Sequence, residues 1–160
     1  MVILNDFSTS VQKALSEINP KWRDLDGLIV CGTHTPVNVE SMIEAIKVAR
    51  EERKPFLGIC FGYQLAAIEY ARNVLGIKDA TSEELGVPGT YVVTKRPELK
   101  VGLHDGETWW SNYDVTDEIK KQWKTGDNFF VVPFHPEYQS SKDDPHPLLV
   151  SFLNYAKMAM

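Results

Sequence analysis

The stretch Lys54-Pro55-Phe56-Leu57-Gly58-Ile59-Cys60-Phe61-Gly62-Tyr63-Gln64 constrains this chain more than any other. Its apolar run 56–59 predicts a buried strand and residues 65–75 predict a helix, so an abrupt turn carrying Cys60 must join the two. Such a turn is a nucleophile elbow. Gly58 and Gly62 leave room where strand and helix backbones approach, and they accept backbone angles that a side chain would oppose. Cys60 then stands clear of the sheet, where the free N–H groups and positive end of the helix favour its thiolate. Taken alone, the elbow leaves open the alternative of a buried core cysteine.

The 160 residues read as a single domain, 1–160, large enough to bury a core. Apolar residues at 43% and charged residues at 24% are those of a soluble globular protein. The formal net charge of −5, with no basic stripe interleaved with aromatics, argues against nucleic acid as a partner. No apolar run is long enough to span a bilayer, and residues 1–6 lack the blocks of a secretion signal, so no membrane partner and a cytoplasmic location are expected. In that compartment Cys31 and Cys60 read as thiols. His34 and His104 have no ligand partners at metal spacing, so neither a metal nor another cofactor is expected.

In chain order, residues 1–4 read as a short strand, followed by a helix that Ser8-Thr9-Ser10 can cap, with Val11, Ala14, Leu15 and Ile18 on one face and Asn19-Pro20 at its end. Residues 28–30 are the next buried strand. They run into Cys31-Gly32-Thr33-His34-Thr35-Pro36, a loop at the carboxyl end of a strand, where ligands bind in open α/β sheets. Asn38 can cap a helix reaching Glu52. The helix after Cys60 carries Leu65, Ala66, Ala67 and Ile68 consecutively and should be the most buried one, with Gly76 at its end. The polar segment Thr81-Ser82-Glu83-Glu84 should return towards the elbow. Short strands at 91–93, 99–101 and 109–110, separated by Pro88-Gly89 and Asp105-Gly106, suggest an antiparallel extension. A helix at 115–123, a strand at 129–132 and a helix at 147–159 complete the chain. Lys95-Arg96 and Asp143-Asp144 read as solvated loops, and Trp109 and Trp110 as core strand residues or the lining of an altered pocket. This alternation predicts a three-layer, flavodoxin-like α/β sandwich with a mostly parallel central sheet and a small antiparallel extension.

A cysteine nucleophile needs a base to hold its thiolate and protonate the leaving group, and a third group to fix that base. His135 and Glu137 supply the pair. At i and i+2 on an extended stretch their side chains share one face, just beyond a buried strand at the sheet edge where the elbow should open. The plainer alternative is that Pro133 and Pro136 end a strand and leave His135 on a surface turn. The elbow together with this pair tips the balance to catalysis.

The motifs Gly58-Ile59-Cys60-Phe61-Gly62-Tyr63-Gln64 and Phe134-His135-Pro136-Glu137-Tyr138 resemble those of the class I glutamine amidotransferase family. The continuous run from Cys60 to Gly76, the sequence Ser82-Glu83-Glu84 and Pro145-His146-Pro147-Leu148 are most similar to the family's CTP synthase branch, in its glutaminase domain. The resemblance implies Cys60 as nucleophile, His135 as acid and base, and Glu137 as its orienting group. It also implies backbone N–H groups of Phe61 and of the Gly32-Thr33 loop as the oxyanion hole, and Gln64, Glu84 and Asn112 at the substrate's amino-acid end. The activity implied is hydrolysis of the glutamine side-chain amide through a Cys60 thioester, with ammonia passing to a separate synthetase partner. Two positions depart from the family pattern. Cys31-Gly32-Thr33 stands where the family has Pro-Gly-Gly, and Thr33 resists the positive φ that glycine accepts. Asn112 stands where the CTP synthase branch has an arginine for the substrate carboxylate, so another γ-glutamyl compound is the competing substrate. A third reading is a degenerate, binding-only module. The chain is also short between its first helix and Leu28, as if a strand were missing.

Overall fold

Leucine, isoleucine and valine at 28–30 alternate between two cores, and this alternation sets the layers. Leu28 and Val30 join one apolar cluster with Met42, Ile43, Ile46 and Phe56, whereas Ile29 and Cys31 join another with Val11, Leu15, Leu57, Ile59 and Phe152. The computed structural model describes residues 1–96, 102–104, 108–110 and 112–160, with the backbone alone described at 102–104 and 108–110. In chain order the elements are β1 (Val2–Leu4), α1 (Thr9–Ile18), β2 (Leu28–Val30), α2 (Val39–Glu51), β3 (Phe56–Ile59), α3 (Phe61–Asn73), β4 (Ala80–Ser82), β5 (Thr90–Lys95), β6 (Gly102–His104), β7 (Thr108–Trp110), β8 (Tyr113–Val115), α4 (Asp117–Gln122), β9 (Phe129–Val132) and α5 (Pro147–Met158). Strands β1-β2-β3-β9 form a parallel sheet in that order, with α1 and α5 over one face and α2 and α3 over the other. The three-layer α/β sandwich with a mostly parallel sheet is therefore as expected.

The crossovers β1-α1-β2 and β2-α2-β3 step the same way across the sheet, yet their helices cover opposite faces. They are therefore of opposite hand, against the strong rule that such crossovers are right-handed. A doubly wound sheet that lacks a strand outside β1 has this arrangement, which is the structural form of the short stretch noted before Leu28.

Helix α3 starts at Phe61, directly after Cys60, four residues earlier than the apolar run alone predicts. Leu65, Ala66, Ala67 and Ile68 are all buried. The one acid on its buried face, Glu69, accepts hydrogen bonds from Arg50 Nε at 2.7 Å, Arg50 Nη2 at 3.0 Å and Asn73 Nδ2 at 2.9 Å, which tie α2 to α3.

Several local expectations change. The extension is mixed: β4 pairs parallel to β5, β5 pairs antiparallel to β8, and β6-β7 is a separate antiparallel pair. The segment read as polar, Thr81-Ser82, belongs to a buried strand. The helix expected over 115–123 yields its start to β8, because the buried Asp114 accepts from Val115 N at 2.7 Å and Lys120 Nζ at 2.7 Å and pairs with the Tyr63 hydroxyl, while Thr116 caps α4. Asn38 precedes α2 in the left-handed region, φ 56°, and its side chain makes no cap. Lys95-Arg96 is no free loop: Arg96 Nη2 donates to the Val115 carbonyl at 2.9 Å and to Asp117 at 3.1 Å, and Lys95 N donates to Glu83 at 2.7 Å. The strand expected at 99–101 and the side chains of Trp109 and Trp110 lie outside the described residues. Among the described residues no helix is long and apolar enough to cross a membrane.

Candidate active site

The elbow forms because three backbones converge. A Cβ on Gly62 would lie 2.1 Å from the Val30 carbonyl oxygen, and one on Gly58 would lie 3.0 Å from the Gly62 carbonyl. Only glycine lets α3 leave β3 so close to β2. Cys60, at the corner, has φ 55° and ψ −99°, a strained conformation for a residue with a side chain. It is held there by its own N–H on the Val132 carbonyl at 2.9 Å and by the first helical bond, Gln64 N to its carbonyl, at 3.2 Å. The thiol is half-buried, whereas the Cys31 thiol is fully buried. Both cysteines are free. Burial, reinforced by the nearby Glu137 charge, pushes Cys31 up to about 12, which keeps it protonated.

The strand β9 delivers His135 and Glu137 to the same corner, since Cys60 N is bonded to the last residue of β9. The two do not lie on an extended stretch. His135 precedes a 3₁₀ turn, Pro136–Gln139, and that turn folds Glu137 back so that His135 Nδ1 meets Glu137 Oε1 at 2.6 Å. Pro136 suits the first position of the turn, where no N–H is needed. His135 also hydrogen-bonds Cys60. Burial opposes charge on the ring, but the hydrogen bonds to Cys60 and Glu137 and the charges of both outweigh it and raise the imidazole to about 9. The Glu137 side chain is only 1% exposed, and its Oε2 has no hydrogen-bond partner among the described residues. Tyr138, whose place in the motif 134–138 does not by itself disclose a role, stacks on the His135 ring with centroids 5.2 Å apart.

Gly32 closes the other side of the imidazole. A Cβ there would lie 3.2 Å from His135 Cε1 and 3.2 Å from Phe7 Cδ2. Neither Gly32 nor Thr33 adopts a positive φ, so the loop does not require glycine at 33. Thr33 Oγ1 instead accepts from Thr35 N at 3.0 Å. Phe61 is the first residue of α3, next to the thiol.

Beyond the corner, Gln64 lies one helical turn after Cys60 and is 2% exposed. It hydrogen-bonds Glu84, and its Oε1 is buried with no partner among the described residues. Glu84 sits in the 3₁₀ turn Glu83–Leu85 after β4, which Ser82 caps by accepting from Glu84 N at 3.2 Å. Packing against the protein raises the Glu84 carboxyl, with the Gln64 hydrogen bond and the nearby His34 pulling the other way. His34, expected to be a lone histidine, lies close enough to Glu84 to act on its charge and packs edge-on against Phe7 at 4.7 Å. Asn112 is tied to a different element, its carbonyl accepting from Arg96 N at 2.7 Å. Among the described residues no group of three or more His, Cys, Asp or Glu side chains could hold a metal ion.

Comparison with known proteins gives the family and the fold. The glutamine amidotransferase class-I family matches residues 2–155. CTP synthase of Sulfolobus acidocaldarius is 49% identical over a match that spans 199 residues of the relative, covering 93% of this chain and 37% of the relative. CTP synthase of Clostridium beijerinckii is 32% identical over a match that spans 186 residues of the relative, covering 84% of this chain and 34% of the relative. The chain therefore spans little more than a third of the length of these relatives. Among solved structures, the glutaminase domain of Trypanosoma brucei CTPS with bound acivicin superimposes with a TM-score of 0.76 at 21% identity, covering 96% of this chain and 89% of that one, a likeness of fold. The chain belongs to the class I glutamine amidotransferase family.

Proposed function

We propose that this domain hydrolyses the side-chain amide of glutamine and releases ammonia for a synthetase partner. The observation that carries the reading is His135 touching both Cys60 and Glu137. The Cys60 thiolate attacks the amide carbon, and the backbone N–H groups of Phe61 and of Gly32 or Thr33 take the oxyanion charge. His135 gives its proton to the nitrogen, ammonia leaves, and a glutamyl thioester remains. Water then attacks the thioester while His135 takes a proton back, so that glutamate departs and the thiolate is restored. Glu137, nearly sealed from solvent, fixes the ring tautomer and supports its charged form. The raised imidazole pKa suits the acid step, because it keeps a proton available at neutral pH for a poor leaving group. A reducing cytoplasm suits a free thiol nucleophile.

Gln64 and Glu84 hold the amino-acid end, Glu84 taking the α-ammonium. The names of the relatives support a synthetase as the acceptor of ammonia. Steady-state glutamate release, with Cys60→Ala as the control, tests the reading. Release that depends on Cys60 is expected, and its absence, with or without a candidate synthetase, refutes it.

A further inference from the structure

We infer that His34 is a specificity residue of this site, donating an imidazole N–H to the α-carboxylate of the bound amino acid while Glu84 takes the α-ammonium. The inference rests on the glutaminase reading above and adds to it a residue from the short loop after β2. Gly32 marks the reacting end of the cleft, since it lies against the His135 ring. His34 follows two residues later, and two residues of chain reach at most about 7 Å. The side-chain carbonyl carbon of glutamine and its α-carboxyl carbon are four bonds apart, about 5 Å when extended. A glutamine with its amide at Cys60 therefore places its head group within the span of this loop.

The other wall fits that placement. Gln64, one turn along α3 from Cys60, reaches Glu84 and keeps a fully buried oxygen with no partner among the described residues. A buried acceptor without a protein donor is open to one from a ligand or a bound water. Glu84 and Gln64 Oε1 are both acceptors, and so suit an ammonium. Neither of them can serve the carboxylate of a zwitterion, which needs a donor. Phe7 lies against Gly32 and packs edge-on against His34, which holds the imidazole beside the loop that borders His135, near enough to Glu84 for its charge to be felt there. Among the described residues, three basic side chains on the neighbouring elements are engaged elsewhere: Arg72 with Glu40 and the Ala80 carbonyl, Arg96 with Val115 and Asp117, and Lys120 with Asp114.

The test compares L-glutamine with L-glutaminamide, whose α-carboxylate is replaced by a neutral amide. Binding of each to the Cys60→Ala chain, which cannot turn over either one, is measured by titration calorimetry. Glutamine is expected to bind at least about tenfold more tightly, as befits one charge-assisted hydrogen bond. In the added variant His34→Ala that ratio should collapse towards one, and His34→Lys should keep a clear preference for glutamine. A ratio unchanged by His34→Ala overturns the inference, and so does an equal weakening of both ligands, which would mark a merely structural histidine. Failure of both ligands to bind also overturns it. Glutamate release that depends on Cys60 decides the glutaminase reading separately.

Discussion

The two ends of the proposed substrate cleft are built in different ways. The reacting end sits on the central parallel sheet, where Cys60, His135 and Gly32 follow directly from the carboxyl ends of β3, β9 and β2. Its geometry is fixed by backbone contacts that leave little freedom, such as the 2.1 Å from a Gly62 Cβ to Val30 and the bond from Cys60 N to Val132. The head-group end is assembled from a loop, a 3₁₀ turn and the first turn of α3, and both His34 and Glu84 are exposed at its rim. The contrast suggests that the chemistry is locked by the fold, whereas substrate preference rests on side chains that can change without disturbing it.

Substitutions test that contrast, and the largest effect belongs to the locked end. Cys60→Ala should lower glutamate release by at least about 10^4-fold while leaving the thermal unfolding midpoint nearly unchanged. Glu137→Gln should lower kcat by about 10^3- to 10^4-fold, because the ring loses the partner that sets its tautomer and supports its charge. Gly62→Ala should destabilise the fold by more than about 4 kcal/mol in urea titrations, since the methyl group has nowhere to go. If Gly62→Ala is tolerated, the backbone lock does not exist.

The titration of His135 gives a smaller effect. Its pKa rises from 6.5 to about 9 on folding, so the folded state binds the proton more tightly than the unfolded chain. The resulting stabilisation, up to about 3 kcal/mol, is fully present below pH 6.5 and is lost as pH rises towards 9. Urea midpoints measured from pH 6 to 9.5 should show that decline, flattened in Glu137→Gln. Activity should also fall above about pH 9, as the acid needed for ammonia departure disappears. At the head-group end, Glu84→Gln should raise KM by about tenfold and leave kcat within about threefold. An equal loss in kcat would mean that this rim is part of the chemistry.

The same division explains what could be read from the residues alone. Gly58, Cys60 and Gly62 disclose the elbow because a strand can turn into a helix so sharply only with glycine at the crowded points, and that requirement is local. The parallel sheet is legible for a similar reason, since its short apolar runs have few other places to go. The pairing of His135 with Glu137 is legible as a partnership, but its geometry is not. A 3₁₀ turn started by Pro136, and not an extended strand, brings them together.

Other features depend on distant partners. Thr81 and Ser82 look like loop residues until β5 pairs with them, and Tyr113-Asp114-Val115 becomes a strand only when Lys120 and Tyr63 satisfy the buried Asp114. His34 and Glu84 are 50 positions apart in sequence, and no periodicity links them. Tyr138 against His135 is the exception, a local contact, because one 3₁₀ turn brings residue i+3 back over residue i.

The most direct test of the triad is mass spectrometry after exposure to a glutamine-mimicking electrophile such as diazo-oxo-norleucine, with the two cysteines reporting on each other. The account predicts a single adduct on Cys60, slowed by Glu137→Gln and by excess glutamine, with the buried Cys31 untouched. Labelling of both thiols at similar rates, or an unlabelled Cys60 in the folded chain, would contradict it.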